Sequence, residues 1–204
     1  HEKFAYHIPD NYTDLKAAPL LCAGVIGYQA FQATGLHQRG SLGLFGFGSS
    51  AHIIIQVAVH LGFDVFVVSR TQKELELAKQ LGAVWTGHID DDMGTKLDAG
   101  IVFAPSGELL VKALTKLDKG GRIVSAGIYT TPLPGFDYSH IYPEKCLTSI
   151  AHTTRDNVKA FLDVASQCTI QTEVNTYRLE DVNQALLNVK HSRVSGSTVL
   201  LVSH

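Results

Sequence analysis

Several features that would assign a chain at once are scarce here. There are only three cysteines in 204 residues, Cys22, Cys146 and Cys168. An odd, widely spaced set is not a disulfide framework, and a reducing, cytoplasmic setting is expected. No Cys-x-x-Cys pair and no His-Glu-x-x-His segment occurs among ten scattered histidines, so the usual zinc spacings are missing. Charge of either sign is not in excess: 17 Lys and Arg stand against 19 Asp and Glu. Nothing in that balance suggests the concentrated basic surface needed to hold a nucleic-acid backbone or an anionic membrane, and neither partner is expected. No apolar run reaches the length of a membrane span, and Lys16 and Gln32 flank the longest candidate. No signal peptide, internal repeat or low-complexity linker is visible. The Asp90-Asp91-Asp92 run lacks the alternating ligand spacing of a calcium loop and reads as a solvated loop. The chain opens on His1 rather than methionine, which leads us to expect that the protein starts upstream.

What the chain does have is a series of alternating β-type and helical patterns. Residues 42–45 are a short apolar strand candidate. In the next segment Ala51, Ile54, Ile55, Ala58 and Val59 fall on one helical face. Residues 65–68 are continuously apolar, as a strand buried on both faces should be. Leu75, Ala78 and Leu81 follow at helical spacing up to Gly82. Residues 99–103 are the next strand, and Leu110, Ala113, Leu114 and Leu117 predict a helix ended by Gly120 and Gly121. Strands at 122–126 and 146–150 precede a helix carrying Val158, Phe161, Leu162 and Ala165. Repeated βα units with short connections predict an α/β fold, a doubly wound Rossmann-type parallel sheet of about six strands. The ends read differently. Residues 15–36 are helical, interrupted by Pro19 and Gly24, and residues 171–204 give a strand, a helix and a terminal strand.

The most informative stretch is Gly46-Phe47-Gly48-Ser49-Ser50-Ala51, placed directly after a strand and opening a helix. That is the context of a dinucleotide-binding turn. Gly46 allows the tight turn, Gly48 lets a pyrophosphate approach the backbone, and the Ser49 and Ser50 amides face the phosphates. An NAD site is expected to carry an acid at the end of the following strand, to bind the ribose 2′-hydroxyl. Here that strand ends in Ser69-Arg70, a hydroxyl and a cation that suit a 2′-phosphate. NADP is therefore expected, with NAD as the alternative. His52 and His60 read as solvated or packed, and no chemistry is assigned to them.

Several motifs in order resemble the zinc-dependent alcohol dehydrogenases of the medium-chain dehydrogenase/reductase superfamily. They are Ala18-Pro19-Leu20-Leu21-Cys22-Ala23-Gly24-Val25 with Tyr28, Gly43-Leu44-Phe45-Gly46-Phe47-Gly48 with Ala51-His52, and Ala78-Lys79-Gln80-Leu81-Gly82-Ala83. Phe103-Ala104-Pro105, Gly120-Gly121-Arg122-Ile123-Val124 and Leu179-Glu180-Asp181-Val182 continue the likeness almost to the end. The resemblance implies hydride transfer between NAD(P)H and a small alcohol, aldehyde or ketone, and a homodimer paired through the sheet edge. It implies three parts: residues 1–22 as the tail of an N-terminal catalytic domain, 23–166 as the cofactor domain, and 167–204 as a returning catalytic segment. Cys22 matches the family's last catalytic zinc ligand. Ala104, Gly127, Ile128 and Ala151 match positions along the nicotinamide and ribose path. The family's other zinc ligands and its proton relay lie upstream of this stretch, so no catalytic residue is assigned within the chain, and zinc belongs only to an intact enzyme. Where the family often has Arg near its end, this chain has Ser197. Cys146 and Cys168 read as buried apolar thiols. Two other readings stand beside this one: a nucleotide-binding module or partner-dependent subunit without catalysis, and a zinc-free quinone or enoyl reductase.

Overall fold

The computed structural model describes residues 1–191 and 193–202. Its centre is a parallel sheet of β1 (Ser41–Phe45), β2 (Asp64–Val68), β3 (Trp85–Gly87), β4 (Leu97–Val102), β5 (Leu117–Ser125) and β6 (Cys146–Ser149). The spatial order is β3-β2-β1-β4-β5-β6, and every neighbouring pair is parallel. That is the doubly wound Rossmann order, in which the winding reverses between β1 and β4. The helices of the chain are α1 (Asp14–Ala17), α2 (Val25–Ala33), α3 (Ser49–His60), α4 (Gln72–Gln80), α5 (Gly107–Lys116), α6 (Arg155–Gln167) and α7 (Val182–Lys190). A π turn at Leu20–Gly24 joins α1 to α2.

Strand alternation divides the core into two layers. Leu42, Leu44, Val65, Val67, Ala99, Ile101 and Val124 face α2, α3 and α6. Phe45, Phe66, Val68, Val102 and Ile123 face α5. Both faces of the central strands are covered, which is why their sequences read as unbroken apolar runs. α3 is the central helix of the first layer. Ala51, Ile53, Ile54, Ile55, Val57 and Ala58 are all fully buried, whereas Val59, expected on the buried face, is exposed. A helix enclosed on nearly every side carries apolar residues beyond a single stripe.

Three further expectations change. β3 was not foreseen; three residues at a sheet edge are too few to show periodicity. The helix over 110–117 stops at Lys116, and Leu117 opens β5 opposite Leu97. Leu117 is buried either way, so its apolar character could not separate the two conformations. Cys146 and Cys168 are half-buried rather than enclosed.

The C-terminal segment builds a separate parallel pair, β7 (Val174–Arg178) and β8 (Ser197–Leu201), joined through α7. The N-terminal segment is tied to the end of α6: the Tyr12 hydroxyl accepts from the Ile170 N–H at 2.8 Å and lies 2.9 Å from the Ala165 carbonyl. None of the described helices is long and apolar enough to cross a membrane.

Candidate functional site

The turn after β1 lies at the switch point. The Gly46 N–H donates to the Val68 carbonyl at 2.8 Å, and Gly46 has φ +89. A Cβ there would stand 3.0 Å from Ala104, so only glycine fits the left-handed turn against the end of β4. Gly48 is different. Its backbone is extended (φ −99, ψ −153), and a Cβ built on it would meet no atom within 4 Å. The space in front of it is open to a ligand.

Gly48 is also the N-cap of α3, and no side chain caps the helix. The first intrahelical bond runs from the His52 N–H to the Gly48 carbonyl at 3.1 Å. The amides of Ser49, Ser50 and Ala51 precede it and point out of the helix start, where its dipole favours an anion. Gly48 and Ser49 border a cleft of about 910 Å³, within the range of about 300–1,000 Å³ usual for small-molecule sites. The returning segment, 194–200, also lines it.

One face of α3 holds that segment in place. Ser49, His52 and Gln56 are spaced to line up on a helix. The Ser49 and Ser197 hydroxyls are hydrogen-bonded to each other. The Gln56 side chain donates to the Gln171 carbonyl at 3.0 Å and accepts from the Gln171 N–H at 2.8 Å. His52 is fully buried. Its Nε2 accepts from the Glu173 N–H at 3.2 Å, which leaves Nδ1 as the protonated nitrogen, 3.3 Å from the Gly48 carbonyl. Burial lowers its pKa, with hydrogen bonds to Gly48 and Ser49 opposing. His52 is thus packed, as the sequence suggested, but both ring nitrogens are engaged. A polar residue every third or fourth position within an apolar helix was the signal that could have revealed it.

At the end of β2, Ser69 meets a residue that the sequence reading passed over, Glu74. Ser69 is buried, and its hydroxyl donates to the Glu74 carboxylate while accepting from the Thr71 N–H at 3.3 Å. Glu74, in the first turn of α4, borders the cleft with Thr71 and Lys73. A carboxylate from the helix that follows thus reaches the residue just beyond β2. Arg70 is exposed and has no ion-pair partner among the described residues.

The remaining candidates fall just beyond strand ends on the same carboxyl edge: Ala104 after β4, Gly127 and Ile128 after β5, and Ala151 after β6. Ala104 touches the glycine turn, whereas Ile128 and Ala151 are exposed and none of the last three borders the cleft.

Cys22 sits in the π turn and lines the same cleft as Gly48. The wider turn places Leu20 and Val25 in the core while Leu21 and Cys22 are exposed. π turns of this kind often occur at functional positions. Among the described residues no group of three His, Cys, Asp or Glu side chains could hold a metal ion. One thiolate does not make a zinc site, which needs at least three protein ligands. Zinc therefore does not fit this chain alone. A dinucleotide pyrophosphate does fit the glycine turn, with its missing Cβ and uncapped amides.

Strand order, glycine turn and helix start together define a Rossmann-type α/β protein. Comparison with known proteins narrows this. The zinc-binding dehydrogenase family matches residues 51–167, and the chain belongs to that family. A probable alcohol dehydrogenase AdhA of Mycobacterium tuberculosis is 42% identical over 98% of this chain and 58% of its own length. Among solved structures, a cinnamyl alcohol dehydrogenase of Sorghum bicolor superposes with a TM-score of 0.89 at 27% identity, over 98% of this chain and 58% of that one. Acetophenone reductase of Geotrichum candidum, solved with NAD, has a TM-score of 0.85 at 20% identity, over 96% of this chain and 58% of that one, and so shares the fold. The chain thus spans somewhat over half the length of these relatives.

Proposed function

We propose that this chain is the cofactor-binding part of an oxidoreductase that transfers hydride between NAD(P)H and an alcohol, aldehyde or ketone. The observation that carries the proposal is the open, Cβ-free and uncapped helix start at Gly48, on the switch-point edge of the sheet. The redox chemistry is the cofactor's; the chain's part is to bind and orient it. Gly46 and Gly48 shape the pyrophosphate turn, and the Ser49 and Ser50 amides hold the phosphates. Ser69 and Arg70 lie beside the adenosine ribose. Ala104, Gly127, Ile128 and Ala151 line the path toward the nicotinamide. Family membership supports this reading, as does the dehydrogenase name of the 42%-identical relative.

The finer assignments belong to the same proposal. Residues 1–22 and 167–204 flank a cofactor domain of residues 23–166 and belong to a catalytic domain completed by chain outside this stretch. Cys22 contributes one ligand to a zinc site that the other part must finish. NADP is preferred over NAD, because Arg70 is a free cation at the end of β2. The protein pairs as a homodimer through an edge of the sheet. A reducing, cytoplasmic setting agrees with three free cysteines.

The test is a calorimetric titration of the 204-residue chain with NADP and with NAD in metal-free buffer. Saturable binding of one dinucleotide per chain is expected. Absence of binding to either would refute the proposal.

A further inference from the structure

We infer that Glu74 is a specificity-determining residue, which lets the site admit NAD beside NADP by placing a carboxylate at the ribose end of the cleft. This rests on the reading above, that the adenosine ribose lies at the end of β2. The Ser69 hydroxyl has one proton, and it is donated to Glu74. Its oxygen already accepts from the Thr71 N–H. The hydroxyl that suited a 2′-phosphate in the bare sequence is therefore engaged, and a carboxylate stands beside it. Glu74 borders the same cleft as Gly48 and Ser49.

A carboxylate in this position acts as the usual strand-end acid does. It accepts from the ribose hydroxyls of NAD and repels the 2′-phosphate of NADP. Arg70 and Lys73 are the nearby cations in sequence and are not paired with it among the described residues. The choice between cofactors is then a balance. Arg70 attracts the phosphate through its planar donor fork, and Glu74 opposes it. Glu74 lies five residues after Ser69, with the helix start in between, so the acid is invisible at the position where sequence motifs look for it.

The experiment measures dissociation constants for NADP and NAD on wild type, Glu74→Gln, Glu74→Asp and Arg70→Ala. Glu74→Gln keeps the shape and an acceptor for Ser69 but removes the charge. It is expected to raise NADP affinity and lower NAD affinity, moving their ratio toward NADP by at least about tenfold, since like charges brought together at a binding site are costly. Glu74→Asp keeps the charge and should leave the ratio within about threefold of wild type. Arg70→Ala should move the ratio the other way. An unchanged ratio in Glu74→Gln, with both dinucleotides still bound, overturns the inference and leaves the binding proposal standing. Failure of wild type to bind either dinucleotide removes the binding proposal, and this inference with it.

Discussion

Replacing Gly48 by valine should abolish dinucleotide binding while leaving the fold intact. Gly48 has an extended backbone that any residue adopts, and a Cβ added to it meets nothing within 4 Å. Losing glycine's unfolded-state freedom stabilises by about 0.4–1 kcal/mol. Valine is a poorer N-cap than glycine, and that offsets the gain. The net change in stability should thus stay within about 1 kcal/mol. Binding is another matter. A branched side chain would fill the space that a pyrophosphate must enter to reach the amides of Ser49 and Ser50. Hydrogen bonds to a charged group contribute about 1.5–3 kcal/mol each. Loss of two such bonds corresponds to roughly a hundredfold to ten-thousandfold weaker binding. Gly46→Val is the contrasting variant. It combines φ +89 with a Cβ 3.0 Å from Ala104, so its melting temperature should fall along with binding. Calorimetry with NADP, paired with thermal melts, separates the two effects. Equal affinity of wild type and Gly48→Val, with both folded, would show that no pyrophosphate sits on this turn.

Two more outcomes follow from the site. The folded state keeps His52 neutral, with a pKa below its ordinary value near 6.5. The unfolded chain takes up a proton that the folded chain does not, so stability is present above about pH 6.5 and declines as the pH falls below it. The slope is at most about 1.4 kcal/mol per pH unit for one proton. Denaturant melts from pH 7.5 to 5 should show His52→Asn with a shallower acid loss than wild type, and superimposable slopes would argue against the assignment. Separately, the pure chain should retain no stoichiometric zinc after dialysis and should not oxidise alcohols, because it brings one thiolate toward a site that needs three protein ligands. Elemental analysis and a turnover assay check this, and robust zinc-dependent oxidation by the 204-residue chain contradicts it.

Much of the architecture was legible in the residues. Strands at 42–45, 65–68, 99–103, 122–126 and 146–150 are found within a few residues of their expected places, because central parallel strands buried on both faces must be apolar without interruption. The glycine turn was readable for a similar reason: only Gly46 can take φ +89 against Ala104, and that demand leaves a mark in the local sequence. Relations across the chain left no such mark. Nothing local to Ser69-Arg70 says that Glu74 turns back to take the serine's hydrogen bond. Nor does the glycine motif say that His52 reaches Glu173, 121 residues away. Nor does the resemblance that marked Cys22 as a zinc ligand say that a π turn leaves it exposed at the cleft. By itself the sequence determined the βα alternation, the doubly wound sheet and the glycine turn, since each follows from side-chain size, branching and backbone freedom over a few residues. The tertiary structure decided which charge stands beyond the end of β2, which face of α3 grips the returning segment and where the Cys22 thiol lies. Those depend on distances between elements that only the packed fold sets.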